Sequence, residues 1–214
     1  MPKAPRSDSD INTIKERIRD AALEIILMDG FSALSMRKIG ARISMTAANI
    51  YNYYSNKDEI YLSIQQKGFE LLHATFKEIN KKKEDTVIKL HEMLQAYIDF
   101  GINNPDLYEV MFTRNTPKYA DYIGTRTETA ARQEKETALL LIDEATKLIS
   151  DFIIKNPDII IPDVRYRVIQ VWTGLHGVVS LYNSRVLQEV EPETDHIFKK
   201  ISDDLFLPVT LNQP

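Results

Sequence analysis

The 214-residue chain contains no cysteine, only seven glycines and only one tryptophan. The missing cysteine excludes disulfides, thiol nucleophiles and cysteine-ligated zinc, and it fits a reducing cytoplasm, the expected location. Scarce glycine, and no run that alternates with period two over several strands, exclude a sheet-rich fold. No apolar run approaches the ~18 residues of a membrane span. The opening MPKAPRSDSD has no apolar core, so no secretory signal is expected. The four histidines (His73, His91, His176, His196) show no HExxH or other metal spacing. There is no GxSxG and no phosphate-binding glycine loop, so no enzyme and no cofactor are expected.

What is present is a hydrophobic fraction of 43%, enough for a core. Net charge is −4, which by itself argues against a nucleic-acid partner. Its distribution argues the other way. Residues 1–57 hold nine basic and six acidic side chains, net +3, and the remaining 18 basic and 25 acidic side chains leave −7. A basic head on an acidic body points the head at a polyanion, although one solvated helix face gives the same excess.

Apolar residues recur at three and four along most of the chain, which predicts an all-α protein. Residues 1–10 are expected as a flexible arm, and a first helix from Ile11 to Met28 carries the stripe Ile11, Ile14, Ile18, Ala22, Ile25. Asp29-Gly30 ends it. Ser35 caps a second helix, with Leu34 and Ile39 at staple positions. Ser44-Met45 is a short turn, and Thr46 caps a third helix with Met45 and Ile50 placed as a second staple. Two capped short helices over 35–54 make a helix-turn-helix by length. Further helices are expected over 57–81, 86–103 and 105–112, then one long helix over 121–155. Another runs from Pro162 to about Gln188, and the last from Pro192 to about Phe206. The tail from Pro208 is expected to be loose.

A helix-turn-helix lays its second helix in the major groove. With Ile50 and Tyr54 inward, Ala47, Ala48, Tyr51 and Asn52 face out. Alanine methyls suit thymine methyls, and the amides of Asn49 and Asn52 suit adenine. Tyr51, Tyr53 and Lys57 reach phosphates, as do Ser35 and Arg37 at the start of the second helix. Thr46, at the start of the third, joins the phosphate-facing set. A capped helical hairpin whose tyrosines are core residues is the competing reading.

The stretch IKERIRDAALEIILMDGFSALSMRKIGARISMTAANIYNYYSNKDEIY (residues 14–61) resembles the DNA-binding domain of TetR/AcrR transcriptional regulators. The similarity lies in the AA…DGF helix end, the SMRKI second helix and IYNYYSNKDEI. It implies a homodimer that binds operator DNA and releases it when a small molecule enters the C-terminal domain. It places phosphate contacts on Ser35, Tyr51, Tyr53 and Lys57, and base-reading positions on Arg37, Ala47, Ala48, Asn49 and Asn52. The sequence departs from the family at Ser44, where a turn glycine is usual. It also departs at Ala47 and Ala48, where glycine or larger residues are common. Lys3 and Arg6 stand in the arm, either as minor-groove contacts or as part of a functionless tail.

Downstream, LQAYIDFGINNPDLYEVMF (94–112) and VWTGLHGVVSLYNSR (171–185) resemble the regulatory domain of the subfamily marked by Trp172, His176 and Gly177. Tyr97, Phe100, Tyr108, Met111, Phe112, Phe152, Trp172 and His176 are expected either to line a pocket for an apolar or amphipathic effector or to be plain core. His176 is a ligand contact or a hydrogen-bonded core histidine. Val168, Leu175, Val179, Tyr182 and Val186, with Ile197, Ile201 and Leu205, are the expected dimer interface, or else the end of the monomer core. Gly174 and Gly177 are expected to pack closely on another helix. The fold expected is an N-terminal three-helix helix-turn-helix domain (11–57) and a C-terminal helical bundle (58–207) with ligand pocket and dimer interface, flanked by the arm (1–10) and tail (208–214). The function expected is a ligand-responsive regulator, most simply a repressor; the alternative is an all-α bundle that binds a small molecule or protein without DNA.

Overall fold

The computed structural model describes residues 7–210, and side chains only as far as Leu205. It is all-α, with no strand among the described residues. The helices are α1 (Asp8–Asp29), α2 (Met36–Ile43), α3 (Ala47–Ile50), α4 (Lys57–Lys81), α5 (Thr86–Asn103), α6 (Pro105–Tyr108), α7 (Tyr119–Tyr122), α8 (Glu128–Lys155), α9 (Val164–Asn183), α10 (Val186–Val190) and α11 (Thr194–Thr210). A 3-10 turn, Phe31–Ala33, precedes α2, and a π-turn, Glu109–Thr113, follows α6.

Several boundaries differ from expectation for local reasons. α1 begins at Asp8 because Ser7 and Asp10 form a reciprocal capping box, so residues 8–10 of the expected arm are its first turn. Lys3 and Arg6 lie outside the described residues. The expected 121–155 helix is two helices, interrupted by Gly124 at φ 78, a conformation that favours glycine. α9 stops at Asn183, where Arg185 turns left-handed at φ 63. α11 runs to Thr210, so 208–210 of the expected tail are helical, while 211–214 lie outside the described residues.

The chain divides into two compact units. One comprises residues up to Gly68 together with Glu109–Glu136. Its core is the inward stripe of α1 (Ile18, Ala22, Ile25, Ile26) packed with Leu34, Ile39, Ile50, Tyr54, Ile60 and Ile64, all buried. Each of the leucine and isoleucine side chains among them contributes about 1.5–3 kcal/mol on burial. The 109–136 segment is bound to α4 by polar and apolar contacts. The Tyr61 hydroxyl donates to the Val110 carbonyl at 3.0 Å and accepts from Thr116 Oγ1 at 2.9 Å. Gln65 Nε2 donates to the same carbonyl at 3.1 Å, and Asn56 Nδ2 donates to Thr127 Oγ1 at 2.8 Å. Leu62, Tyr122 and Ala131 form a small apolar cluster beside them.

The other unit comprises Phe69–Tyr108 and the chain from Thr137 onward. α5 turns Leu90, Met93, Leu94, Tyr97, Ile98 and Gly101 inward, and α9 turns Val168, Leu175, Val178 and Val179 inward. At Gly101 the helices touch: a β-carbon there would stand 2.4 Å from Val179 Cγ1. Asn183 Nδ2 closes the same contact by donating to the Gly101 carbonyl at 3.0 Å. Of the two α9 glycines expected to pack closely, Gly174 does so against Leu205, whereas Gly177 has nothing within 4 Å of its would-be β-carbon.

Candidate nucleic-acid interface and ligand site

α2 and α3 are set by their caps. Ser35 is extended (φ −151) and its Oγ accepts from Lys38 N at 3.2 Å. Thr46 Oγ1 accepts from Asn49 N at 3.1 Å. Between the helices Ser44 occupies the left-handed region at φ 58, ψ 41, with its side chain exposed. The chain then closes back so that Met45 N donates to the Gly40 carbonyl at 2.8 Å. Gly40 makes this possible, because a β-carbon there would lie 2.4 Å from the Met45 carbonyl oxygen. Sequence reasoning assigned no role to Gly40. The available signal was a glycine inside an eight-residue helix, which costs about 1 kcal/mol unless a close approach demands it.

α3 is only four residues long, and its continuation tightens. Tyr51 N still bonds the Ala47 carbonyl, but Asn52 N bonds Asn49 O at 3.2 Å and Tyr53 N bonds Ile50 O at 2.9 Å. Ile50 and Tyr54 point inward, 0% and 4% exposed. The Tyr54 hydroxyl accepts from Arg19 at 3.3 Å. Opposite them, Arg37, Thr46, Ala48, Tyr51 and Asn52 are exposed, and Ser35, Ala47, Asn49, Tyr53 and Lys57 are half-buried. All ten sequence-predicted contact residues therefore retain accessible surface. The cations of α2 differ in their engagement. Lys38 pairs with Asp29 at 3.1 Å and Arg42 with Glu24 at 2.7 Å. Among the described residues Arg37 and Lys57 stand in no ion pair; Lys57 Nζ instead rests 4.8 Å above the Phe31 ring. Those two charges remain available to an anion.

In the second unit four predicted side chains form one linear polar chain. Trp172 Nε1 donates to the Tyr97 hydroxyl at 2.9 Å, which is 2.9 Å from the Tyr108 hydroxyl, which is 2.7 Å from His176 Nδ1. His176 Nε2 lies 3.4 Å from Ser180 Oγ. An indole N–H can only donate. Tyr97 accepting it leaves the Tyr97 proton for Tyr108 and the Tyr108 proton for His176 Nδ1, so every buried donor is used if His176 is neutral with its proton on Nε2. Burial lowers the His176 pKa in the same direction. Burial also pushes the Tyr97 hydroxyl up to about 12 and raises Tyr108, so both phenols stay protonated. The Tyr108 ring stacks on the imidazole with centroids 5.6 Å apart. Ser180, absent from the expected set, closes the chain. Its place one helical turn after His176 was the signal.

The remaining expected pocket residues divide. Phe152 is buried and Phe100 half-buried in this unit, whereas Met111 and Phe112 fall in the other compact unit. The expected dimer stripe is also corrected. Val168, Leu175 and Val179 are 4%, 4% and 0% exposed, so they belong to the core and have no surface for a second chain. Tyr182 packs edge-on to Phe198 at 5.2 Å. Ile197, Ile201 and Leu205 are half-buried, and Val186 is exposed. α9 instead leaves Tyr166, Ile169 and Leu181 outward at 58%, 39% and 46% exposure, with Gly177 beneath open space on the same spacing. Among the described residues no group of three or more His, Asp or Glu is placed to hold a metal ion, and no helix is long and apolar enough to cross a membrane.

A capped helix-turn-helix followed by an all-α unit with a buried polar chain defines a helix-turn-helix regulator class. Residues 18–64 match the model of bacterial regulatory proteins of the tetR family, and residues 90–205 match that of the tetracyclin repressor-like C-terminal domain. The chain belongs to the TetR family. It is 23% identical over 115 residues to the HTH-type transcriptional regulator YobS of Bacillus subtilis, covering 53% of this chain and 59% of that one. The chain thus spans less than two thirds of the length of such curated relatives. A tetR-family regulatory protein from Rhodococcus RHA1 shares its fold at TM-score 0.72 and 17% identity, over 95% of this chain and 98% of that one. So does the transcriptional regulator FadR of Bacillus subtilis, solved with stearoyl-CoA, at TM-score 0.66 and 17% identity, over 91% and 97%.

Proposed function

We propose that this protein is a homodimeric transcriptional repressor that binds operator DNA and is released by a small apolar or amphipathic effector in the bacterial cytoplasm. The observation that carries it is the capped α2–α3 hairpin, with Ile50 and Tyr54 buried inward and Arg37, Ala48, Tyr51 and Asn52 left exposed. In this reading Ser35, Thr46, Tyr51, Tyr53 and Lys57 hold phosphates, and Arg37, Ala47, Ala48, Asn49 and Asn52 face bases. Residues 11–57 bind DNA, and 58–207 bind the effector and dimerise. Tyr97, Tyr108, Trp172 and His176, with Phe100 and Phe152, supply the effector site: aromatic walls and a few polar atoms. The stearoyl-CoA held by the FadR neighbour supports an acyl-type effector.

The dimer uses the outward face of α9, Tyr166, Ile169, Gly177 and Leu181, together with α11. Two-fold symmetry then sets the recognition helices about 34 Å apart on a near-palindromic operator. The effector acts by binding better to a dimer of the wrong spacing. The test is a salt series of binding to DNA upstream of the protein's own gene. Tight binding that weakens steeply with salt and drops in Tyr51→Ala and Lys57→Ala is expected. Binding indifferent to both substitutions would overturn the assignment of the α2–α3 face, and none at low salt would favour an α-helical bundle that does not bind DNA.

A further inference from the structure

Asn49 and Asn52 are not independent readers. Residues three apart on an α-helix are offset by about 60° around the axis. Here the turn tightens at Asn52 N to Asn49 O and at Tyr53 N to Ile50 O, and residues three apart in a 3-10 turn eclipse. The two side chains therefore fall nearly in line, and Asn52 Nδ2 donates to Asn49 Oδ1 at 3.3 Å. The backbone of Asn49 is held, because its N–H donates to both the Thr46 carbonyl and Thr46 Oγ1.

An asparagine amide has two N–H donors and one oxygen. With one N–H given to Asn49, Asn52 keeps its oxygen and its other N–H. That donor–acceptor pair matches the N6 and N7 edge of adenine, and it sets oxygen against oxygen at guanine O6. Guanine N7 and O6 are both acceptors, so suiting guanine would take both Asn52 N–H groups, and Asn49 Oδ1 holds one of them.

We propose that Asn52 reads the adenine of an A·T pair in the operator and that Asn49 is a positioning residue that fixes which way the Asn52 amide faces. This rests on the DNA-binding reading above.

The experiment selects full-length protein against randomised duplexes. It then titrates the selected duplex and its three single-pair variants at each position at one salt concentration. Wild type prefers A·T by roughly 10- to 100-fold at one position per half-site. Asn52→Ala loses that preference. Asn49→Ala, checked for native helicity by circular dichroism, loses it at the same position by admitting G·C. Asn49→Asp keeps an acceptor oxygen, so it retains the preference while binding all four duplexes more weakly through charge. A merely structural Asn49 would lower affinity without changing base preference. The inference is overturned if Asn49→Ala keeps the wild-type preference, or if the position lost in Asn52→Ala is not A·T. If wild type selects no sequence, the DNA-binding reading falls with it, an outcome distinct from the other two.

Discussion

A β-carbon at Gly40 would stand 2.4 Å from a carbonyl oxygen, inside any allowed contact, and the obstacle is backbone that cannot rotate away. Gly40→Ala must therefore separate α2 from the turn that delivers α3. The expected cost is about 1–3 kcal/mol, the range for overpacking, read as a lower urea midpoint and accompanied by weaker operator binding. An unchanged midpoint would show that the turn relaxes freely. The neighbouring side chains were easier to foresee. Ile50 and Tyr54 were legible as the inward pair because their spacing of four puts them on one face. The pairing of Asn52 with Asn49 was not, because it depends on a local tightening that no spacing rule reports.

At the scale of the element, the helix-turn-helix carries one conformational oddity. Ser44 sits in the left-handed region, which costs an L-residue about 1–2 kcal/mol. Glycine there would remove that cost but enlarge the entropy of the unfolded chain by about 0.5–1 kcal/mol. Ser44→Gly is expected to stabilise the protein by about 0.5–1 kcal/mol in chemical denaturation without changing DNA affinity. A destabilised variant would mean that the serine side chain is needed. Both caps, Ser35 and Thr46, were readable as short polar residues ahead of an apolar period. Two helix breaks were not. The left-handed turns at Gly124 and Arg185 carry no proline; apolar periodicity continues across Arg185, and around Gly124 the chain is too polar to show a period.

For the whole molecule, stability should depend on pH through Glu134, on the segment that packs with residues up to Gly68. Burial pushes its carboxyl up to about 6 from 4.5, only partly offset by Lys118. A raised folded-state pKa means that its favourable contribution is complete below pH 4.5 and lost as pH rises through 6. Glu134→Gln is thus expected to stabilise the protein by at most about 2 kcal/mol at pH 8 and to leave it unchanged at pH 4, where wild type is itself neutral. Equal effects at both pH values in urea titrations would refute the assignment. His176 works in the opposite sense: burial lowers its pKa, so its penalty grows as pH falls below the usual histidine range. Assembly is tested on the outward face of α9. Leu181→Arg is expected to give a folded monomer by analytical ultracentrifugation, because Leu181 is 46% exposed in the subunit. A dimer that survives this substitution would place the interface elsewhere.

The amino-acid order by itself determined the helical class, the two capped helices and the inward face of α1. These follow from periodicity and from polar atoms within a few residues of the backbone groups they satisfy. Tertiary structure alone decided which apolar stripe is core and which is surface. Val168, Leu175 and Val179 share the composition of an interface, but α5 covers part of that face at Gly101 and leaves Ile169 and Leu181 bare. It also decided that residues 109–136 belong with residues up to Gly68, because the bonds from Tyr61, Gln65 and Asn56 span 45 to 71 positions. A local pattern cannot encode its partner at that distance; only the packed chain brings the two together.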